Sequence, residues 1–236
     1  FSKPAVLHRL QGDADPKEAA KVYVAVSRGW LATSTASEID PHAYKGNYVD
    51  PDRDDPALLA AVDREFERNL KAGFVGDWAA VAAEDGCPLQ KEPTLLHPVG
   101  AYLKPAPPPK AGATSSSKKR KARVFLDPGP SGLNDLSAGE ESSTRLASVA
   151  DARAAITRAV PWSRADYADA FLGHAVARGQ ARFQGVRWRG RTMAFRKMIL
   201  GHRRSPRQMQ ATLIAIIRSY HRELRRRGMQ TGPDPE

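Results

Sequence analysis

The stretch from Pro105 to Lys121 cannot belong to a folded core, and it separates two stretches that read as strands. It passes through clustered prolines, then Ala-Gly-Ala-Thr-Ser-Ser-Ser, then Lys118-Lys119-Arg120-Lys121. With so little apolar surface to bury, such a segment cannot offset the entropy lost on ordering, and it reads as a flexible tip. Before it, His97-Pro98-Val99-Gly100-Ala101-Tyr102-Leu103-Lys104 has the make-up of a strand that Pro105 stops. After it, Arg123-Val124-Phe125-Leu126-Asp127 supplies a second strand. Strands joined through one tip pair antiparallel. Helical patterns flank the pair on both sides, so the expected class is α+β, an antiparallel sheet packed on helices.

Those helical patterns are bracketed by their own start and stop signals. Pro16 to Trp30 reads as a helix entered through Asp15, and Pro41 to Pro56 reads as loop. Asp55-Pro56 opens a helix whose Leu58, Leu59, Val62, Phe66 and Leu70 share one face, with Gly73 ending it. Pro128 to Gly132 is a turn leading to Leu133-Asn134. Ser148 and Asp151 form a capping-box pattern for a helix to about Val160. Arg182 to Arg191 reads as a hairpin. Ser205-Pro206 starts a long helix to about Arg227, and Met209, Leu213, Ile216, Ile217, Tyr220 and Leu224 are its expected buried face.

Charge is divided unevenly. The net charge is +11, but Val176 to Gly228 carries 15 Lys and Arg against one acid, Glu223, a balance of +14. Residues 1–100 carry 11 bases against 16 acids, a balance of −5. This split points to a polyanion for the C-terminal part, nucleic acid before membrane, and no membrane partner is expected. Arg187, Trp188 and Arg189 read either as a clamp that straddles phosphates and stacks on a base, or as a solvated basic hairpin. The lone cysteine, Cys87, excludes an internal disulfide and a cysteine-based zinc site, and it fits a reducing, intracellular setting. The basic run 118–121 is a weak match to a nuclear-import signal.

Within the basic half lies Arg164-Ala165-Asp166-Tyr167-Ala168-Asp169-Ala170-Phe171. A carboxylate next to anionic nucleic acid is costly unless it holds a cation, and Mg²⁺ takes one or two carboxylates together with phosphate oxygens. The other reading of the octet is a solvated turn with an N-capping Asp.

Taken in order over residues 66–228, these landmarks resemble the fingers and palm of a reverse transcriptase of the retrotransposon and retrovirus type. Leu70-Lys71-Ala72-Gly73-Phe74-Val75 looks like the phrase that ends that family's first helix. Pro98, Ala101 and Lys104 match its next strand; Lys121, Arg123, Asp127 and Leu133-Asn134 match the one after. A Ser-Val-x-Asp helix then leads into Asp166-x-x-Asp169-Ala170-Phe171, and Gly201-His202-Arg203-Arg204-Ser205-Pro206 opens the long helix. The resemblance implies a right-hand polymerase fold with fingers and an incomplete palm. Residues 1–55 would be an unassigned N-terminal arm, 56–160 the fingers with the flexible loop 105–121, and 161–236 a partial palm including the fingers hairpin 176–200.

By the same resemblance Asp166 is the catalytic metal ligand, for Mg²⁺ with Mn²⁺ as a substitute, in a two-metal transfer of deoxynucleotides. Lys104 and Arg123 would neutralise the triphosphate. Phe171 would exclude a 2′-hydroxyl, and Gly201 would admit the nascent base pair closely. Arg187, Trp188, Arg189, Arg203 and Arg204 would hold an RNA or DNA template-primer. The sequence departs from the family where a Tyr-x-Asp-Asp hairpin should follow the long helix. Pro233 and Pro235 flank Asp234 there, and two prolines do not suit a strand ladder. The expectation is therefore an RNA-directed DNA polymerase excerpt whose other carboxylates lie beyond Glu236. The alternatives are an inactive nucleic-acid-binding relic and an unrelated basic RNA-binding protein.

Overall fold

The computed structural model describes residues 16–31, 42–104, 122–136, 170–229 and 231. The element order is α1 (Pro16–Arg28), α2 (Pro56–Lys71), β1 (Val75–Asp77), α3 (Trp78–Asp85), β2 (Val99–Leu103), β3 (Ala122–Leu126), α4 (Leu133–Leu136), β4 (Gly185–Trp188), β5 (Arg191–Phe195) and α5 (Ser205–Arg226). The expected helices at 56, at 205 and in the N-terminal arm are present, as are both expected hairpins. The helix expected from Ser148, the tip 105–121 and the octet up to Asp169 lie outside the described residues.

Helix α2 forms where its signals place it. Asp55 caps it by accepting from the Ala57 N–H at 2.7 Å, Pro56 pre-sets the first turn, and Gly73 leaves it at φ 70. Its Leu59, Val62 and Phe66 enter one core with Val75, Val99, Leu126, Val186, Trp188, Met193, Phe195 and Ile199. That core joins two antiparallel sheets, β1–β5–β4 and β2–β3, and the second pairs Val99 with Leu126 through to Leu103 with Ala122. The architecture is mixed helix and antiparallel sheet, the α+β class read from the sequence.

One continuous run links the sheets. Residues 95–97 lie along the entrance of β4, with His97 N donating to Gly185 O at 2.9 Å and Gly185 N to Leu95 O at 3.1 Å, before the chain turns into β2. Gly185 is needed there, because a β-carbon would run into the Leu95 carbonyl. A second tie comes from the N-terminal arm. The Asn47 amide accepts from Val99 N at 3.1 Å and donates to Arg187 O at 2.8 Å, so one side chain spans both sheets. Tyr48 and Val49 also donate their N–H groups to Val99 O.

Helix α5 corrects the expected burial. Its packed residues are Ser205, Gln208, Thr212 and Ala215, whereas Ile217 and Tyr220 are 41% and 56% exposed, and Met209, Leu213, Ile216 and Leu224 are only half-buried. Small residues explain the choice of face. Ala211 and Ala215 let α1 approach with Ala19, Val22 and Val26, while Ser205 and Thr212 satisfy their hydroxyls on Ile199 O and Gln208 O. Periodicity reports an apolar stripe but not which neighbour covers it.

Candidate functional site

The β2–β3 hairpin presents two faces. Ala101, Ala122 and Val124 pack toward the core under α2, so the alternate residues point the other way. On that second face Tyr102 and Arg123 are direct cross-strand partners, both exposed, and the Phe125 ring lies over Gly100 in the space a side chain would take. Lys104 follows the end of β2 and is exposed. The two basic residues read from the sequence as triphosphate ligands therefore belong to one hairpin, with Arg123 opposite an aromatic ring.

Gly201 closes on the same hairpin. It sits at φ 111, and a β-carbon there would collide with the Leu126 carbonyl oxygen. Leu126 N donates to Leu200 O at 3.2 Å. Asn134, just past the Pro128–Gly132 turn, donates to Gly201 O at 3.1 Å and accepts from Arg203 N at 2.8 Å. Within the molecule, Gly201 makes a close backbone approach to the strand that carries Arg123. The sequence had marked Asn134 as a landmark only; its part in holding the Gly201 turn was missed, because bonding to a distant turn leaves no local signal.

The chain emerging from the acidic octet is fastened to the same region. Phe171 is half-buried, and Leu172 packs on the main core. His174 lies 2.9 Å from Ala170 O through Nδ1 and 3.1 Å from the Thr212 hydroxyl through Nε2, and its carbonyl accepts from Met198 N at 2.8 Å. Burial lowers the His174 pKa, outweighing the carbonyl of Ala170. The neutral ring donates from Nδ1 to Ala170 O, a tautomer inferred from that partner, and Nε2 lies 3.1 Å from the Thr212 hydroxyl, whose own proton goes to Gln208 O. Asp166 and Asp169 lie outside the described residues. Among the described residues no group of three or more His, Cys, Asp or Glu side chains could hold a metal ion.

The basic hairpin departs from the nucleic-acid clamp. Trp188 cannot stack on a base: it is 3% exposed, stacked on Phe66 at 5.8 Å, and its indole N–H donates to Asp63 at 2.8 Å. Arg187 pairs with Glu92 at 2.6 Å and Arg189 with the same Asp63 at 3.0 Å. Arg191 and Arg196 likewise meet Asp77 at 2.9 Å and Glu84 at 2.7 Å. Asp63, Asp77, Glu84 and Glu92 are thus the counter-charges of this hairpin, and the charge split counted along the chain is partly closed in three dimensions. Arg203 is exposed and Arg204 half-buried beside the Gly201 turn.

The α+β frame that holds this hairpin, glycine turn and long helix is similar in fold to solved reverse transcriptases. The native protease–reverse transcriptase of prototype foamy virus is similar in structure, with a TM-score of 0.53 at 15% identity over 91% of this chain and 26% of that one. Its selenomethionine-labelled CSH mutant gives 0.52 at 16% identity with the same coverage. The chain thus spans about a quarter of the length of these proteins. No family model matches it, and no curated protein matches it in sequence.

Proposed function

We propose that this chain is the fingers and part of the palm of a retroelement RNA-directed DNA polymerase. What supports the reading is the convergence of three sequence-distant motifs. The Arg123 strand lies against the Gly201 turn through Leu126, Asn134 ties that turn to α4, and His174 ties the segment after the acidic octet to α5. In this reading Arg123, with Lys104 beside it, carries the charge that neutralises a triphosphate; Arg suits it by its planar fork of donors. Phe171 stands below the sugar and rejects a 2′-hydroxyl by clash. Arg203 and Arg204 meet the template-primer. Asp166 is the carboxylate that would hold Mg²⁺, or Mn²⁺ in its place, and a bound ion would supply charge neutralisation at the attacking and leaving oxygens.

The test is Mg²⁺-dependent deoxynucleotide incorporation on a primed RNA template, comparing the chain, its Asp166→Ala variant, and a version extended by its downstream reading frame. Activity in the extended form that is lost with Asp166→Ala would establish the polymerase. A second reading, an inactive relic that still binds nucleic acid, is favoured by Pro233 and Pro235 at the place of the expected Tyr-x-Asp-Asp. Its mark is salt-sensitive primer–template binding with no incorporation by either form.

A further inference from the structure

A hydrogen bond at the protein surface contributes little net stability, because water competes for both partners. Asn134 makes two such bonds across a long stretch of chain. Its amide donates to Gly201 O at 3.1 Å and accepts from Arg203 N at 2.8 Å, 67 and 69 positions further along. The pair clasps the backbone on either side of His202. That residue is buried, and its Nδ1 accepts from Arg204 N at 3.2 Å. The N–H groups of Arg203 and Arg204 are therefore held by two different side chains, Asn134 at the surface and His202 beneath it.

Asn134 sits on a well-bonded support. Leu133, the residue before it, is fully buried with Leu95 and Phe183. The loop from β3 to α4 is bonded along its length: Gly129 N to the Asp127 carboxylate at 2.9 Å, Ser131 Oγ to Pro128 O at 3.0 Å, and Gly132 N to Gly129 O at 2.9 Å. Tyr48 donates to the same Asp127 carboxylate at 2.6 Å. A side chain fixed in this way can hold its own partners to within a fraction of an ångström.

What the clasp holds in place is a charge. Arg203 is exposed, and among the described residues its guanidinium has no partner. The hairpin arginines differ, since Arg187, Arg189, Arg191 and Arg196 each end on a carboxylate. Arg203 combines a pinned backbone with an unclaimed cation.

We propose that Asn134 is a positioning residue, which acts through the Gly201–Arg203 backbone to direct the Arg203 guanidinium at one phosphate of a bound nucleic acid. That the ligand is a nucleic acid rests on the polymerase reading above. A long side chain loses rotamer freedom when it binds, and a fixed backbone limits what has to be ordered. Asn134 is uncharged and releases no counterion itself, so its influence on salt dependence has to pass through a cation.

The experiment measures fluorescence anisotropy of a labelled DNA primer on an RNA template with the full chain, between about 50 and 200 mM salt. Arg203→Gln should lower the slope of log affinity against log salt by roughly 0.7–0.9, the loss of one phosphate contact. Asn134→Ala should lower it by the same amount, and the double variant should fall no further than either single one. Asn47→Ala is the control. It breaks a comparable clasp, on Val99 N and Arg187 O, away from the Gly201 turn, and should keep the wild-type slope. The proposal is overturned by an additive double variant, by an equal fall in Asn47→Ala, or by a slope that falls in Asn134→Ala but not in Arg203→Gln. A slope lowered in Arg203→Gln with Asn134→Ala at the wild-type value removes the clasp and leaves the polymerase reading standing. A wild-type chain that binds no primer–template removes both.

Discussion

Single side chains hold this fold together at places where backbone groups of two sheets meet. Asn47 is the clearest, because Val99 N–H and Arg187 C=O both depend on its amide. Asn47→Ala orphans a donor on a fully buried residue, so we expect a loss of about 1–3 kcal/mol, read as a lower urea midpoint at unchanged slope. Replacement of Gly201 should cost as much for another reason. Gly201→Ala forces a side chain into φ 111, which strains the backbone by about 1–3 kcal/mol before the contact with the Leu126 carbonyl is counted. A stable Gly201→Ala protein would show that the Leu126 approach is not required. Residue roles were the least legible part of the sequence. Trp188 among arginines looks like a stacking platform, yet its ring belongs to the core, since nothing local encodes Phe66 or Asp63 as its partners. Arg123 shows the opposite case, because strand alternation alone is enough to put it on the face away from α2.

Elements were read more securely, since capping and period are local. Asp55-Pro56 and Gly73 bracket α2, and the 105–121 segment predicts the pairing of β2 with β3 that the register displays. The orientation of α5 was not legible, because an apolar stripe and a small-residue face compete for the core and only the neighbours decide. Here the small face won, leaving Ile217 and Tyr220 on the surface. Such a stripe is a liability for self-association. An Ile217→Gln/Tyr220→Gln variant should change unfolding free energy by no more than about 0.5 kcal/mol, as exposed positions do, while lowering the weight-average mass in sedimentation equilibrium at high concentration. A destabilisation of several times that size would mean that the stripe is covered after all.

At the scale of the whole molecule, charge and burial set how stability responds to pH. His97 is fully buried at the junction of the two sheets, with Nε2 2.7 Å from Phe183 O and Nδ1 without a partner among the described residues. Burial drives its pKa from 6.5 down to about 4, against smaller opposing effects of the Phe183 carbonyl and the Asp127 charge. Above pH 6.5 the ring is neutral whether the chain is folded or not, and the junction keeps its full stability. Between 6.5 and about 4 only the unfolded chain takes up the proton, so stability falls as pH falls. Below about 4 the folded ring is protonated too and the loss levels off. The interval corresponds to about 3 kcal/mol from this one residue, a large share of the 5–15 kcal/mol that holds a typical domain. His174 is shifted in the same direction, also by burial, and adds to the slope. Urea unfolding at pH 7.5, 6.5, 5.5 and 4.5 should show the decline, and His97→Gln separates its source. Glutamine can still donate to Phe183 O but cannot titrate, so this variant should lose a little stability at pH 7.5 and much of the decline toward pH 4.5. An undiminished decline in His97→Gln would place the acid sensitivity in His174 and in the Asp63 and Glu84 carboxyls, whose pKa values are all lowered in the fold.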